Sequence, residues 1–196
     1  MPDVDFEAAY RGTPPWDIGR PQAAIVALAD AGRLVGEVLD VGCGTGEHAL
    51  LAAARGLPAT GVDAASVAIG RAREKARERR LDARFVVGDA LALESLGQQF
   101  DTVIDTGLFH VFDDEDRDRY VSSLGRVVRS GGSVLLLCFS DRVPPLASGP
   151  RRVSEDELRR AFLDGWEVVR IEAAEFEVGS LAVTAFPALL AIIARR

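Results

Sequence analysis

The run Asp40-Val41-Gly42-Cys43-Gly44-Thr45-Gly46 constrains the fold more than any other part of the chain. It follows a short apolar run, EVLDVG, and precedes GEHALLAAARG, which reads as a helix closed by Gly56. A strand that turns through three glycines into a helix permits a tight turn, close strand–helix packing and close approach of a ligand to the backbone. The same alternation repeats downstream. PATGVDA, ARFVVGDA, FDTVIDTG and SVLLLCFS read as buried strands, each a short apolar run. SVAIGRAREKARERR, DEDRDRYVSSLGRVVRSGG and SEDELRRAF read as helices, the second stopping at RSGG and the third opening with the capping-box pair Ser154 and Glu157. GWEVVRIEAAEFEV and LLAIIARR read as two final strands with no helix between them, and so as antiparallel neighbours. The prediction is a single α/β domain with a doubly wound, mostly parallel sheet and helices on both faces. Functional residues then belong just after the strands, at their carboxyl ends.

Composition narrows the partners. The 196 residues carry 23 Lys and Arg against 30 Asp and Glu, a formal charge of −7. That balance disfavours nucleic acid and other polyanions, which need a basic footprint. Cys43 and Cys138 are the only cysteines, too few for a disulfide framework, and a reducing compartment is allowed. MPDVDFEAAYRG has neither a basic nor an apolar leader segment, and no apolar run reaches the length of a membrane span. The expectation is a cytoplasmic protein without nucleic-acid or membrane partners, a monomer or homodimer.

Two strand-end acids accompany the glycine turn. Asp63 ends the second strand about 20 residues after the first glycine, where a carboxylate accepts hydrogen bonds from ribose hydroxyls. Asp89, in Gly88-Asp89-Ala90, ends the third and can accept from an adenine amino group, with the Ala90 amide near a ring nitrogen. A dinucleotide fingerprint would continue with glycine or alanine at position 47, but Glu47 stands there. A negative side chain at a helix N-terminus competes poorly with a pyrophosphate. Asp40 ahead of the glycines suits a ligand that brings a cation. A glycine turn taken alone also serves packing. The turn, both acids and the alternation together favour a nucleoside-bearing cofactor.

These residues resemble the class I S-adenosylmethionine-dependent methyltransferases. VLDVGCGTG, GVDA, GDA and FDTVIDTGLFH match four motifs of that superfamily, between about residues 38 and 132. The resemblance implies strand order 3-2-1-4-5-7-6 with the last strand antiparallel. It implies that Gly42, Gly44 and Gly46 pack against the methionyl and ribose parts of S-adenosylmethionine. Asp63 with Ala64 would meet the ribose, Asp89 with Ala90 the adenine, and Asp40 and Thr106 would complete the cofactor site. The product would be S-adenosylhomocysteine.

The first twenty residues differ in kind. Gly12, Pro14, Pro15, Gly19 and Pro21 punctuate regular structure, with Tyr10 and Trp16 interleaved. Residues 1–20 read as an arm over the cofactor and residues 21–196 as the catalytic domain. The arm resembles that of the thiopurine and tellurite-resistance methyltransferases, in which Trp16 would cover the cofactor or anchor the arm. Arg20 could pair with the cofactor's carboxylate or lie at the surface. The segment from 138 to 169 resembles small bacterial enzymes acting on phenolic, quinone-derived or heterocyclic compounds.

After the fourth strand, Phe109 and Phe112 could wall an apolar substrate pocket. His110 is the candidate general base, or a group that orients substrate. Tyr10 is a second candidate contact, and His48 reads as structural. Asp105 and Asp141 stand roughly where some relatives hold magnesium, but Arg142 replaces the companion Asn and no metal is expected. The expected reaction is in-line methyl transfer to O, N or S of a small, aromatic or heterocyclic acceptor. The alternatives are thiol, thiopurine or chalcogen S-methylation and, in another class, a SAM-binding protein without catalysis. A substrate pocket beside His110 discriminates the last.

Overall fold

The computed structural model describes residues 5–144, 149–179 and 183–196. The arm contains a four-residue helix, α1 (Phe6–Ala9), capped by the Asp5 carboxylate on the Ala8 amide. The core then runs α2 (Ala23–Asp30), β1 (Val38–Val41), α3 (Glu47–Ala54), β2 (Ala59–Asp63), α4 (Ser66–Arg79), β3 (Arg84–Val87) and β4 (Phe100–Thr106). It continues with α5 (Asp114–Val127), β5 (Val128–Phe139), α6 (Glu155–Ala161), β6 (Trp166–Glu177) and β7 (Ala185–Arg195). Short 3-10 segments at Ala90–Leu96 and Phe109–Val111 follow β3 and β4.

The seven strands lie in the order β3-β2-β1-β4-β5-β7-β6, as expected from the resemblance. The first five pair in parallel, and β7 runs antiparallel between β5 and β6. Alternation along the central strands divides the core. Val38, Ile104, Leu135 and Leu137 face α2, α3 and α4, against Ile25, Leu50 and Ile69. Leu39, Val41, Val103 and Leu136 face α5 and α6, against Tyr120, Leu124 and Leu158. Both layers exclude water, which is why these strands read as continuous apolar runs.

Three local expectations change. The RSGG segment does not end a helix; α5 stops at Val127 and the chain enters β5 at once. A register shift between Phe100 and Thr102 absorbs the extra residues opposite, with Gly131 at positive φ. β7 begins at Ala185, before LLAIIARR, because β6 continues to pair there, Glu177 with Ala185. α4 has no side-chain cap of its own; Glu7 on the arm accepts from the Ser66 hydroxyl at 2.8 Å. The Ser154–Glu157 capping box forms as read. Among the described residues no helix is long and apolar enough to cross a membrane, and no cluster of side chains could hold a metal ion.

Candidate active site

The carboxyl ends of β1, β2, β3 and β4 open into a cavity of about 690 Å³ that extends under the arm and toward the ends of β5 and β6. Its first end is the glycine turn. Gly42, Gly44 and Gly46 have φ of 64°, 51° and 85°, left-handed conformations that tax any side chain. Gly44 is doubly required: a Cβ there would stand 2.4 Å from the Tyr10 hydroxyl oxygen. Asp63 holds the turn to the end of β2, accepting from the Gly44 amide and the Ala65 amide, each at 2.8 Å. Asp89 caps the 3-10 segment after β3 through one oxygen, which accepts from Leu91 N–H at 2.8 Å. Asp63, Ala64, Asp89, Ala90 and Thr106 all line the cavity with Gly42 and Gly44.

Gly46 and Asp40 do not line it. Gly46 makes room for Phe85, to which a Cβ would come within 2.6 Å. Asp40 lies fully buried beneath the turn, where one oxygen accepts from Ala49 N–H at 3.1 Å and the other has no partner. Burial pushes its carboxyl up to about 8, so it is mainly protonated at neutral pH. Glu47 does stand at the start of α3, but not as a bare charge. Lys75 and Arg79 on α4 hold it at 2.8 Å, and these bonds outweigh burial to keep its carboxyl below the ordinary range.

The arm is tied down over this end. Trp16 Nε1 donates to the Tyr10 hydroxyl at 3.0 Å, and Thr45 of the turn donates to Asp17 at 2.9 Å. Arg71 on α4 donates to the Gly12 carbonyl, and Gly179 N–H to the Pro15 carbonyl. Tyr10 is buried. Arg20 lines the cavity but is engaged, its guanidinium meeting both Glu177 oxygens at 2.7 and 3.0 Å.

The second end is aromatic. Phe112, Phe139, Phe176 and Phe186 line it with His110, Ile18 and Val178. The rings touch: His110 to Phe139 at 4.8 Å between centroids, Phe139 to Phe176 at 5.1 Å and Phe139 to Phe186 at 5.2 Å. Phe109 is not part of this wall. The 3-10 turn aims neighbouring residues oppositely, and Phe109 packs under the sheet between Phe162 and the Arg117 guanidinium, fully buried. The expectation that it walls the pocket is corrected accordingly.

Both histidines are buried and held by backbone amides. Phe139 N–H donates to His110 Nδ1 at 3.0 Å, and Gln22 N–H donates to His48 Nε2 at 3.1 Å. A nitrogen that accepts an amide proton carries none itself, so the other nitrogen bears it. His48 therefore donates through Nδ1 to the Thr106 hydroxyl at 3.2 Å, and so orients a residue of the cavity wall. Burial lowers His48 to about 4 and, with the Arg117 charge, His110 to about 3. Asp105 is occupied by the Leu108 and Phe109 amides and the Tyr120 hydroxyl.

Phe139 and Phe176 escaped the sequence reading because each stands in a run read as a strand of ordinary core, and Phe186 because it precedes the run read as the last strand. The common signal was positional: each lies at the end of its strand nearest the glycine turn.

A family model described as a methyltransferase domain matches residues 38–132. A 2-heptyl-1-hydroxyquinolin-4(1H)-one methyltransferase of Mycobacteroides abscessus is 40% identical over 179 residues, which are 86% of this chain and 79% of that protein. A probable thiol methyltransferase 2 of Arabidopsis thaliana is 27% identical over 86% of this chain and 75% of its own length. A solved structure described as "Conversion of a Disulfide Bond into a Thioacetal Group during Echinomycin Biosynthesis" superposes with a TM-score of 0.88 at 38% identity, covering 97% of this chain and 90% of its own. The chain belongs to the S-adenosylmethionine-dependent methyltransferases.

Proposed function

We propose that the protein transfers a methyl group to an oxygen of a small, flat aromatic or heterocyclic molecule. The observation that carries this reading is the aromatic chamber joined directly to the acid-lined turn, with one imidazole N–H among its rings. The similarity to an enzyme named for a hydroxyquinolone supports the same acceptor class.

The residues present fit S-adenosylmethionine. Among the described residues, the lining at the turn supplies hydroxyl-accepting carboxylates and no free cation, chemistry suited to a cationic nucleoside. Asp63 would hold the ribose, Asp89 and the Ala90 amide the adenine, and Gly42 and Gly44 the methionyl part. When bound, the cofactor supplies a methyl carbon made electrophilic by a sulfonium leaving group. The chain supplies position. The phenylalanine rings hold a flat acceptor in one orientation, and a nucleophile fixed roughly 3–3.5 Å from its target needs little further help. Tyr10 and Trp16 close the cavity to water from the arm, residues 1–20, which acts as a lid.

Titration calorimetry with S-adenosylmethionine, S-adenosylhomocysteine and NAD tests the cofactor, with binding of the first two alone expected. A panel of hydroxyquinolones, phenols and thiols, read by mass spectrometry for a methyl gain, tests the acceptor. Turnover of thiols alone would establish the second reading, S-methylation, which the Arabidopsis relative favours. Cofactor binding without turnover of any panel member would remove the acceptor assignment.

A further inference from the structure

His110 is the one imidazole at the aromatic end of the cavity, and its geometry assigns it a particular task. Its Nδ1 accepts the Phe139 amide proton at 3.0 Å, inside the buried end of β5. An amide N–H cannot reverse its role, so the free proton of the neutral ring sits on Nε2. Nε2 lies on the cavity side, near Gly107, where an added Cβ would be 3.3 Å away. To take up a proton the ring would have to surrender the Phe139 bond and leave that amide unsatisfied in the core, which costs more than the bond itself is worth. The charged surroundings oppose it as well. Arg117 of α5 acts on the ring, while Glu157 of α6 stands 3.6 Å from Arg117 and bonds Arg151. The faces turned to the ring from β5 and β6 are Phe139 and Phe176, which carry no charge.

Among the described residues, no other group at this end replaces the missing base. The carboxylates among the described cavity residues are Asp17, Glu47, Asp63 and Asp89. All belong to the turn and strand-end side and are engaged: Asp17 by Thr45, Glu47 by Lys75 and Arg79, Asp63 by two amides, Asp89 by one. His48 is locked in the same manner by Gln22.

We propose that His110 is a fixed hydrogen-bond donor and not a base, and that the acceptor enters already ionised, as the anion of an acidic hydroxyl or thiol. This rests on the methyl-transfer reading above. The acceptor loses its proton to bulk water before binding. The new bond to the methyl carbon forms from the anion's own electron pair, the bond from that carbon to the departing sulfur breaks with its pair, and no proton moves within the site. The anion loses charge as it reacts, so a donor to it favours the bound state at least as much as the transition state. His110 is thus a positioning residue: it selects and orients the anion without accelerating the transfer.

Two measurements test this. Imidazole nitrogen NMR of the wild-type protein reads His110 directly, whether or not an acceptor is known. The expected result is the Nε2–H tautomer, unchanged from pH 5 to 9; an Nδ1–H tautomer, or titration in that range, overturns the proposal. Steady-state kinetics with hydroxyquinolones and phenols of graded acidity then read the role. The midpoint of kcat/KM against pH is expected to follow each acceptor's own acidity. His110→Asn keeps an oxygen for the Phe139 amide but cannot reach as a donor, and should raise KM about ten- to a hundredfold with kcat within about threefold. His110→Gln keeps an N–H near the Nε2 position and should restore most of that loss in KM, while the Phe139 amide, left without its acceptor, lowers the stability of the variant. A single midpoint shared by all acceptors and abolished in His110→Gln would show a base and overturn the proposal. A panel with no turnover at all would refute the acceptor reading, while the NMR result would still decide the imidazole's role.

Discussion

At one end of the cavity the groups facing the ligand are backbone and carboxylate; at the other they are ring faces and one N–H. The first end is compact in sequence. Its turn spans residues 42–46, and the acids that complete it sit at the ends of the next two strands, β2 and β3. The second end gathers five residues from four places: His110 and Phe112 after β4, Phe139 at the end of β5, Phe176 on β6 and Phe186 on β7. Each aromatic can change without moving the turn, because each belongs to a different element. On the proposed reading, the cofactor end is therefore mechanically shared and hard to alter, while the acceptor end is modular. This is the arrangement in which one fold serves many acceptors.

That contrast can be broken in stages. The largest effect is expected from Gly44→Val. A side chain at φ 51° that collides with the Tyr10 hydroxyl should cost more than roughly a hundredfold in S-adenosylmethionine affinity by calorimetry. His110 NMR signals should remain at their wild-type positions, and their displacement would mean the two ends are coupled.

Asp40, beneath the turn, offers a pH test of the cofactor end. Its carboxyl is raised from 3.8 to about 8 by burial, so the folded protein holds a proton that the unfolded chain releases. The sign follows. Its contribution is fully present below the unfolded value, declines as pH rises between about 4 and 8, and levels off above. Asp40→Asn, which mimics the neutral acid, should match the wild type in urea unfolding near pH 4. It should gain by about 1.4 kcal/mol for each pH unit within that window. Parallel stability curves for the two proteins would show that Asp40 ionises freely.

At the acceptor end, Phe112→Ala removes one half-buried ring. Acceptor KM should rise by about tenfold, the value of a lost aromatic contact, with S-adenosylmethionine affinity unchanged. A matching loss of cofactor affinity would erase the distinction between the ends. The smallest effect is expected from Trp16→Phe. It removes the indole N–H that donates to Tyr10, worth about 0.5–1.5 kcal/mol, and should weaken cofactor binding a few-fold. Deletion of residues 1–20 should do more, and unchanged activity in that truncation would dismiss the arm as a lid.

The pattern of success in reading the chain follows the same division. Hydrophobic runs and glycine stops located every strand of the sheet, and the strand order came from the resemblance. The bounds that shifted lie at β5 and β7, where a partner strand sets the length. The bulge opposite Phe100 and the continued pairing of β6 each extend a strand beyond its apolar run. Asp63 and Asp89 were readable because a strand end is a local property. Glu47 was readable in position but not in state, since its neutralising partners lie a full helix away on α4.

Sequence alone determined the alternation of strands and helices, the left-handed glycine turn and the strand-end acids. Each depends on residues within a few positions of one another. Tertiary structure decided the rest. Phe109 and His110 are adjacent in the chain, yet one is sealed under the sheet and the other opens on the cavity. The proton on His110 is placed by an amide 29 residues away, and that on His48 by one 26 residues away. Composition gives an imidazole its range of chemistry; the hydrogen bond made by its other nitrogen selects which part of that range the folded protein can use.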